Sequence, residues 1–144
     1  SSAYLVRDKF SNSYVLESDL YLYNQDLIRK YEYHSNFLGF KVDRTDDWCL
    51  ETKNGIITKE KVGGLDCYQM CGISYYDKET GKQMEKDIKE VFMSPGGKER
   101  YWEQVMLDIR KNNYKIYLRE CKREDIIEID TFNELKAIDK TYDV

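Results

Sequence analysis

Apolar residues in this chain fall in short runs between charged stretches, and strand-like and helix-like periods alternate along it. Residues 3–10 read as a short helix with Ser2 as cap, followed by Tyr14-Val15-Leu16 as a short strand. Leu27, Tyr31 and His34 or Ser35 recur at helical spacing, which predicts a helix over 24–34 with Asn24 as N-cap. Residues 37–42 read as strand, and Asp43-Arg44-Thr45-Asp46-Asp47 as an exposed turn. Stretches 48–52 and 56–59 flank Lys53-Asn54-Gly55, where Asn-Gly predicts a hairpin. Residues 65–76 are the most apolar segment and the expected buried strand.

Helical spacing returns at Met84, Ile88, Val91 and Phe92, and Ser94-Pro95-Gly96-Gly97 ends that helix. A further helix carries Tyr101, Val105 and Ile109 on one stripe, with Trp102 and Met106 beside it. Residues 115–120 and 126–129 are the last expected strands. Thr131-Phe132-Asn133-Glu134 has the spacing of a capping box, opening a final helix. No internal repeat, low-complexity tract or linker interrupts this order, so the pattern predicts one α/β domain.

Composition narrows the classes of function. A length of 144 residues suits a single domain, and 41% hydrophobic residues suffice for a core. No apolar run is long enough to span a bilayer, and no signal-peptide pattern opens the chain. A net charge of −4 excludes a basic nucleic-acid-binding module. Cys67 and Cys71 have no second close pair to complete a zinc site, so Cys49, Cys67, Cys71 and Cys121 read as free, small core residues. Free thiols point to a reducing, cytoplasmic setting. The absence of an initial Met suggests a fragment or processed chain.

Two short apolar strands end in acidic residues: Tyr14-Val15-Leu16-Glu17-Ser18-Asp19 and Ile126-Ile127-Glu128-Ile129-Asp130. Ligands of open α/β sheets collect at such strand ends. Two carboxylates meeting there repel each other unless a cation lies between them. Mg²⁺ suits that place, because it takes one or two carboxylates and completes its shell with water and phosphate oxygens. Asp19 and Asp130 are therefore the expected metal ligands, and phosphoryl or nucleotidyl transfer the expected chemistry.

These residues also carry a resemblance. The stretch around Tyr14–Leu22, then Thr45-Asp46-Asp47-Trp48, Gly72 to Asp77, Glu99 to Met106, and Glu128 to Leu135 resemble, in order, the MobA-like nucleotidyltransferases. Among these the chain is most similar to bacterial CTP:phosphocholine cytidylyltransferases. The resemblance implies a Rossmann-like fold with a mixed, mostly parallel sheet flanked by helices. It also implies transfer of CMP from CTP to phosphocholine, with Asp19 and Asp130 holding Mg²⁺ and Glu17 in support. The family's glycine-rich CTP-binding loop has no counterpart here, since Gly63-Gly64 and Gly96-Gly97 are isolated pairs. Residues 1–144 are thus expected to be the acceptor- and metal-binding portion of one domain, incomplete at its N-terminal side. A companion nucleotide-binding segment is the implied partner, without which the chain is expected to be inactive.

Choline's trimethylammonium donates no hydrogen bond, so aromatic faces and a carboxylate must recognise it. Trp48, Tyr76, Tyr101 and Trp102 are the expected walls, with Asp77 or Glu103 as counter-charge. Adjacent residues of a helix point about 100° apart, so Tyr101 and Trp102 do not face one pocket squarely. His34 reads as a partly buried structural residue, and Lys98 and Arg100 as surface cations within reach of a phosphate. Phosphoethanolamine or a sugar 1-phosphate as acceptor, and a non-catalytic choline-binding fragment, are the alternatives.

Overall fold

The computed structural model describes residues 2–142. The order of elements begins with α1 (Ser2–Leu5), β1 (Ser13–Leu16) and β2 (Leu20–Leu22). Two long strands follow, β3 (Asn36–Lys53) and β4 (Ile56–Tyr76), then α2 (Lys78–Met93). The chain ends with β5 (Tyr117–Glu120), β6 (Ile126–Glu128) and α3 (Phe132–Ile138).

The expected hairpin is the centre of the fold. Asn54 and Gly55 both take positive φ, 53° and 77°, the pair of conformations that a tight two-residue turn between twisted strands requires. Residues 43–47, expected as an exposed turn, instead lie within β3, with an irregular register between Thr45 and Trp48. Charged residues are accommodated there because an antiparallel sheet needs only one buried face. The hairpin also curls: Cys49 and Leu50 pair with Lys61 and Glu60 on one side and with Gln69 and Tyr68 on the other. Gly64 permits the curl, since a Cβ there would stand 2.9 Å from the Cys49 Sγ and 3.0 Å from the Cys67 Sγ.

The main sheet has the order β1-β4-β3-β5, and β2 and β6 form a separate antiparallel pair. It is mixed, as expected, but not mostly parallel: only β3 and β5 run parallel, while β1–β4 and β3–β4 are antiparallel. The cause is connection length. A two-residue turn can join only antiparallel strands, whereas β5 returns after a long crossover that includes α2.

Helix α2 begins at Asp77, whose carboxylate accepts from the Thr80 N–H at 2.8 Å, and buries Met84, Ile88 and Val91. These side chains join Phe10, Phe37, Leu50, Tyr76, Val105 and Met106 in the larger core. A smaller cluster of Leu27, Leu38, Cys71, Ile73 and Cys121 packs on the other side of the sheet. All four cysteines are free and buried, as expected.

Three helical expectations are corrected. The first helix stops at Leu5, begins at Ser2 rather than being capped by it, and is followed by a tight turn at Arg7–Lys9. Only a single turn, Gln25–Leu27, forms in the stretch 24–34, with Asn24 capping it through the Asp26 N–H at 3.1 Å. Tyr31 and Tyr33 are 77% and 91% exposed, so the apolar period there had no surface to bury against. The segment after Tyr101 closes with a wide π-helical turn, Val105–Ile109, in which the Arg110 N–H reaches the Val105 carbonyl at 2.8 Å. Strands β5 and β6 are shorter than expected, beginning at Tyr117 and ending at Glu128. The capping box is present as predicted: the Thr131 hydroxyl accepts from the Glu134 N–H, and Glu134 accepts from the Thr131 N–H at 2.8 Å.

Candidate functional site

Glu17 and Asp19 are two residues apart, and so are Glu128 and Asp130. Glu17 and Asp19 lead through a turn into β2, and Glu128 and Asp130 stand at the end of β6. Antiparallel pairing of β2 with β6 then brings the two Glu-x-Asp stretches together: Leu20 lies opposite Glu128, and the Asp19 carbonyl accepts from the Ile129 N–H at 2.8 Å. Carboxylate oxygens of Glu17, Asp19 and Glu128 all lie within 4.8 Å of one another. Asp130, expected as the second ligand, is the immediate neighbour of this trio rather than part of it, and its charge helps to raise Glu128.

The electrostatics record the crowding. Partial burial, then Asp19, Glu103 and Asp47 in that order, hold Glu17 above its ordinary carboxylate range. Glu128 is raised by desolvation first and then by Asp130, Asp19, Glu17 and Asp47. Like charges set this close favour the protonated form unless a cation screens them. Oxygen-only donors with room for water match the habits of Mg²⁺ better than those of a soft metal. Glu17 is positioned by its N–H bond to the Gly72 carbonyl at 3.0 Å. Its side chain runs over Gly72, where a Cβ would stand 2.4 Å from the Glu17 Oε2.

Glu17 borders two cavities. One, of about 380 Å³, is shared with Asp19, Phe10, Val15 and Trp102. The other, of about 460 Å³, is shared with Asp47, Gln69, Glu128 and Arg123. Arg123, stacked over the Phe40 ring at 5.8 Å, brings a cation to this acidic cavity.

The aromatic residues divide into two pairs. Trp102 packs between Phe10, at 5.6 Å and nearly parallel, and Tyr76, at 6.1 Å and edge-on. Trp48 meets Tyr101 edge-to-face at 5.8 Å, and Tyr101 is 60% exposed. Tyr76 is fully buried. Glu103 is held above its usual range by burial and acts on Glu17, which links the aromatic region to the carboxylate trio. Asp77 is taken up as the cap of α2. Lys98 lies over the Phe92 ring at 5.4 Å, and Arg100 is exposed beside the Tyr101–Trp102 cleft. His34 is exposed rather than partly buried, stacked on Tyr117 at 4.2 Å.

Sequence reasoning passed over Glu128, Asp47 and Glu60. For Glu128 a signal existed, the repeated Glu-x-Asp at both strand ends. Asp47 stood in the Thr45-Asp46-Asp47-Trp48 motif but was read as part of an exposed turn, and for Glu60 no signal existed, since Glu103 and Asp108 reach it from a distant segment.

This is the fold of a nucleotidyltransferase. A CTP:phosphocholine cytidylyltransferase from Streptococcus pneumoniae superposes with a TM-score of 0.81 at 23% identity, over 97% of this chain and 61% of that one. A nucleoside-diphosphate-sugar pyrophosphorylase from Vibrio cholerae gives 0.61 at 12% identity, over 86% of this chain and 54% of that one. In sequence the chain is similar to cytidylyltransferases. It is 25% identical to a choline-phosphate cytidylyltransferase of Streptococcus pneumoniae, over 96% of this chain and 61% of the relative. A 2-aminoethylphosphonate cytidylyltransferase of Lancefieldella rimae is also 25% identical, over 90% and 53%. A choline-phosphate cytidylyltransferase of Haemophilus influenzae is 23% identical, over 93% and 58%. The chain thus spans between half and two thirds of the length of these relatives. No protein-family model matches it. Among the described residues no helix is long and apolar enough to cross a membrane.

Proposed function

We propose that this chain forms the metal-binding and acceptor-binding part of a cytidylyltransferase that moves CMP from CTP to phosphocholine, giving CDP-choline and pyrophosphate. The observation that carries the reading is the convergence of Glu17, Asp19 and Glu128, with Asp130 adjoining, on one edge of the nucleotidyltransferase fold. Bound Mg²⁺ supplies neutralisation of the charge that builds on the transferring phosphate. Asp19 and Glu128 would hold it, with Glu17 and Asp130 beside them. A phosphate oxygen of phosphocholine attacks the α-phosphorus of CTP, and the bond to the bridging oxygen of pyrophosphate breaks. No protein base is required, because the nucleophile is already anionic. Trp48, Tyr101 and Trp102 flank the trimethylammonium, and a companion glycine-rich segment holds the CTP phosphates. The cytoplasm is the setting that four free thiols favour.

A second reading, an acceptor ending in a primary ammonium, is favoured by the similarity to a 2-aminoethylphosphonate cytidylyltransferase. The test is pyrophosphate release in a polypeptide that also carries a glycine-rich segment. Asp19→Asn, Glu128→Gln and Asp130→Asn are each expected to cost at least ~100-fold in turnover while the fold is kept. Unchanged turnover in all three refutes the metal assignment.

A further inference from the structure

Outside the carboxylate trio, the most reactive side chains that the fold brings together are two thiols. Cys71 of β4 and Cys121, just past β5, are each 7% exposed, and their Sγ atoms lie 3.1 Å apart. Sheet geometry alone does not give this contact. There β3 lies between β4 and β5, so side chains of the outer strands stand two strand spacings apart, roughly 10 Å. The thiols meet where the register of β3 against β4 is broken, between Phe37 and Gly39. At the same place the Gly39 carbonyl accepts from the Cys121 N–H at 3.0 Å. The hydrogen bond between the sulfurs holds Cys121 below the ordinary thiol range and Cys71 above it, so one sulfur carries the thiolate while the other keeps its proton.

The molecule contains its own comparison. Cys49 and Cys67 also set their sulfurs close together, 2.9 Å and 3.0 Å from the ideal Gly64 Cβ. They are 0% and 2% exposed, and burial, then Cys67, pushes the Cys49 thiol up to about 11. Neither borders the cavity of about 460 Å³ that touches Glu17 and Glu128. Cys71 does border it, and a space of that size admits a small hydroperoxide.

Each thiol of the Cys71–Cys121 pair is also tied to one half of the trio. Cys71 precedes Gly72, whose carbonyl accepts from the Glu17 N–H at 3.0 Å and over which the Glu17 side chain runs. Cys121 precedes the tight turn Arg123–Asp125, which leads directly into β6 and Glu128. We propose that Cys71 and Cys121 form a reversible disulfide when a hydroperoxide reaches them, and that its closure loosens the hold of the trio on its cation. The second half rests on the metal reading above. The Cys121 thiolate attacks a peroxide oxygen, the O–O bond breaks and hydroxide leaves, giving a sulfenic acid. The Cys71 sulfur then attacks the Cys121 sulfur, the S–O bond breaks, and the Cys71 proton leaves with that hydroxide as water. Two thiols and one hydrogen peroxide thus become a disulfide and two waters. The new bond needs the sulfurs about 1 Å closer than they lie. Gly72 has no slack to absorb that shift, since even an added Cβ there would collide with the Glu17 carboxylate.

The test exposes the whole chain to hydrogen peroxide and reads Mg²⁺ binding by thermal shift. Peptide mapping should find a Cys71–Cys121 disulfide with Cys49 and Cys67 still free, and dithiothreitol should restore all four thiols. The apparent dissociation constant for Mg²⁺ is expected to be at least about fivefold higher in the oxidised chain and to return on reduction. That return separates the disulfide from methionine oxidation, which dithiothreitol does not reverse. Cys121→Ser, treated in the same way, should keep the Mg²⁺ response of the reduced chain. No Cys71–Cys121 disulfide, or one that leaves the Mg²⁺ response unchanged, overturns the proposal. A reduced chain that fails to respond to Mg²⁺ overturns the metal reading first and the switch with it, even where the disulfide forms.

Discussion

Two sets of acids in this small protein are treated in opposite ways. Asp87, only 2% exposed, accepts from Gln83 at 3.0 Å, Asn113 at 3.1 Å and Tyr114 at 2.7 Å. Glu32 is gripped by Arg29, Arg119, Asn36 and the Tyr14 hydroxyl. Both are held below the ordinary carboxylate range: burial acts to raise them, but the donors together outweigh it. Glu17, Glu60, Glu103 and Glu128 are raised, each by desolvation first. The fold can furnish donors for an acid where it needs a structural one. Where it supplies none, Glu17 and Glu128 border the cavities described above, and Glu60 borders a third beside Lys59, Arg110 and Lys111.

The largest expected effect tests the structural half. Asp87→Ala strands two amides and a phenol at the junction of α2 with the segment that follows the π-turn. We expect a loss of about 3 kcal/mol in denaturant unfolding. Glu128→Gln, in contrast, relieves repulsion and should leave stability unchanged or slightly higher. A Glu128→Gln variant as destabilised as Asp87→Ala would erase the distinction between the two sets.

The pH dependence of stability carries opposite signs for the two sets. Asp87 and Glu32 have depressed folded values, so their contribution is present above the unfolded pKa and lost as acid protonates the folded carboxylates. Glu60 runs the other way. Its folded form keeps a proton up to about 8, so its contribution is complete below 4.5 and is lost as pH rises towards 8. Because the group is partly solvated, we expect a decline of about 2 kcal/mol over that window. Glu60→Gln should remove this slope and leave the acid limb intact, as followed by urea unfolding at pH 3 to 9.

Metal linkage gives a smaller effect. Mg²⁺ at tenfold over its dissociation constant stabilises the folded chain by about 1.4 kcal/mol. For a domain of this size that is a rise of about 4 °C in Tm. Asp19→Asn should abolish the rise, and Asp87→Asn should not. An equal Mg²⁺ response in Asp19→Asn would place the ion elsewhere.

Much of the fold was legible because local chemistry decided it. Asn54-Gly55 announced the hairpin, Met84, Ile88 and Val91 the helix α2, and Thr131 with Glu134 the cap of α3. The failures have a common origin in long-range pairing. Tyr31 and His34 have helical spacing, but the donors around Glu32 hold that stretch in an irregular path. The charged run 43–47 reads as a turn until β4 lies beside it. In the site, Asp19 was visible at a strand end, whereas Glu128 needed the β2–β6 register.

The smallest effect separates backbone strain from the positioning of Glu17. Gly72 has φ +66° and lies 2.4 Å, at its ideal Cβ, from the Glu17 Oε2. Gly55 has φ +77° with nothing within 4 Å of an added Cβ. Alanine at either position carries the cost of a left-handed conformation, about 1 kcal/mol, and the two variants should lose similar stability. Only Gly72→Ala also pushes the Glu17 carboxylate away from Asp19 and Glu128. Mg²⁺ titrations followed by thermal unfolding should therefore show a weakened response in Gly72→Ala and a normal one in Gly55→Ala. A normal response in both would mean that Glu17 adds charge to the site without helping to hold the ion, leaving Asp19 and Glu128 as its direct ligands.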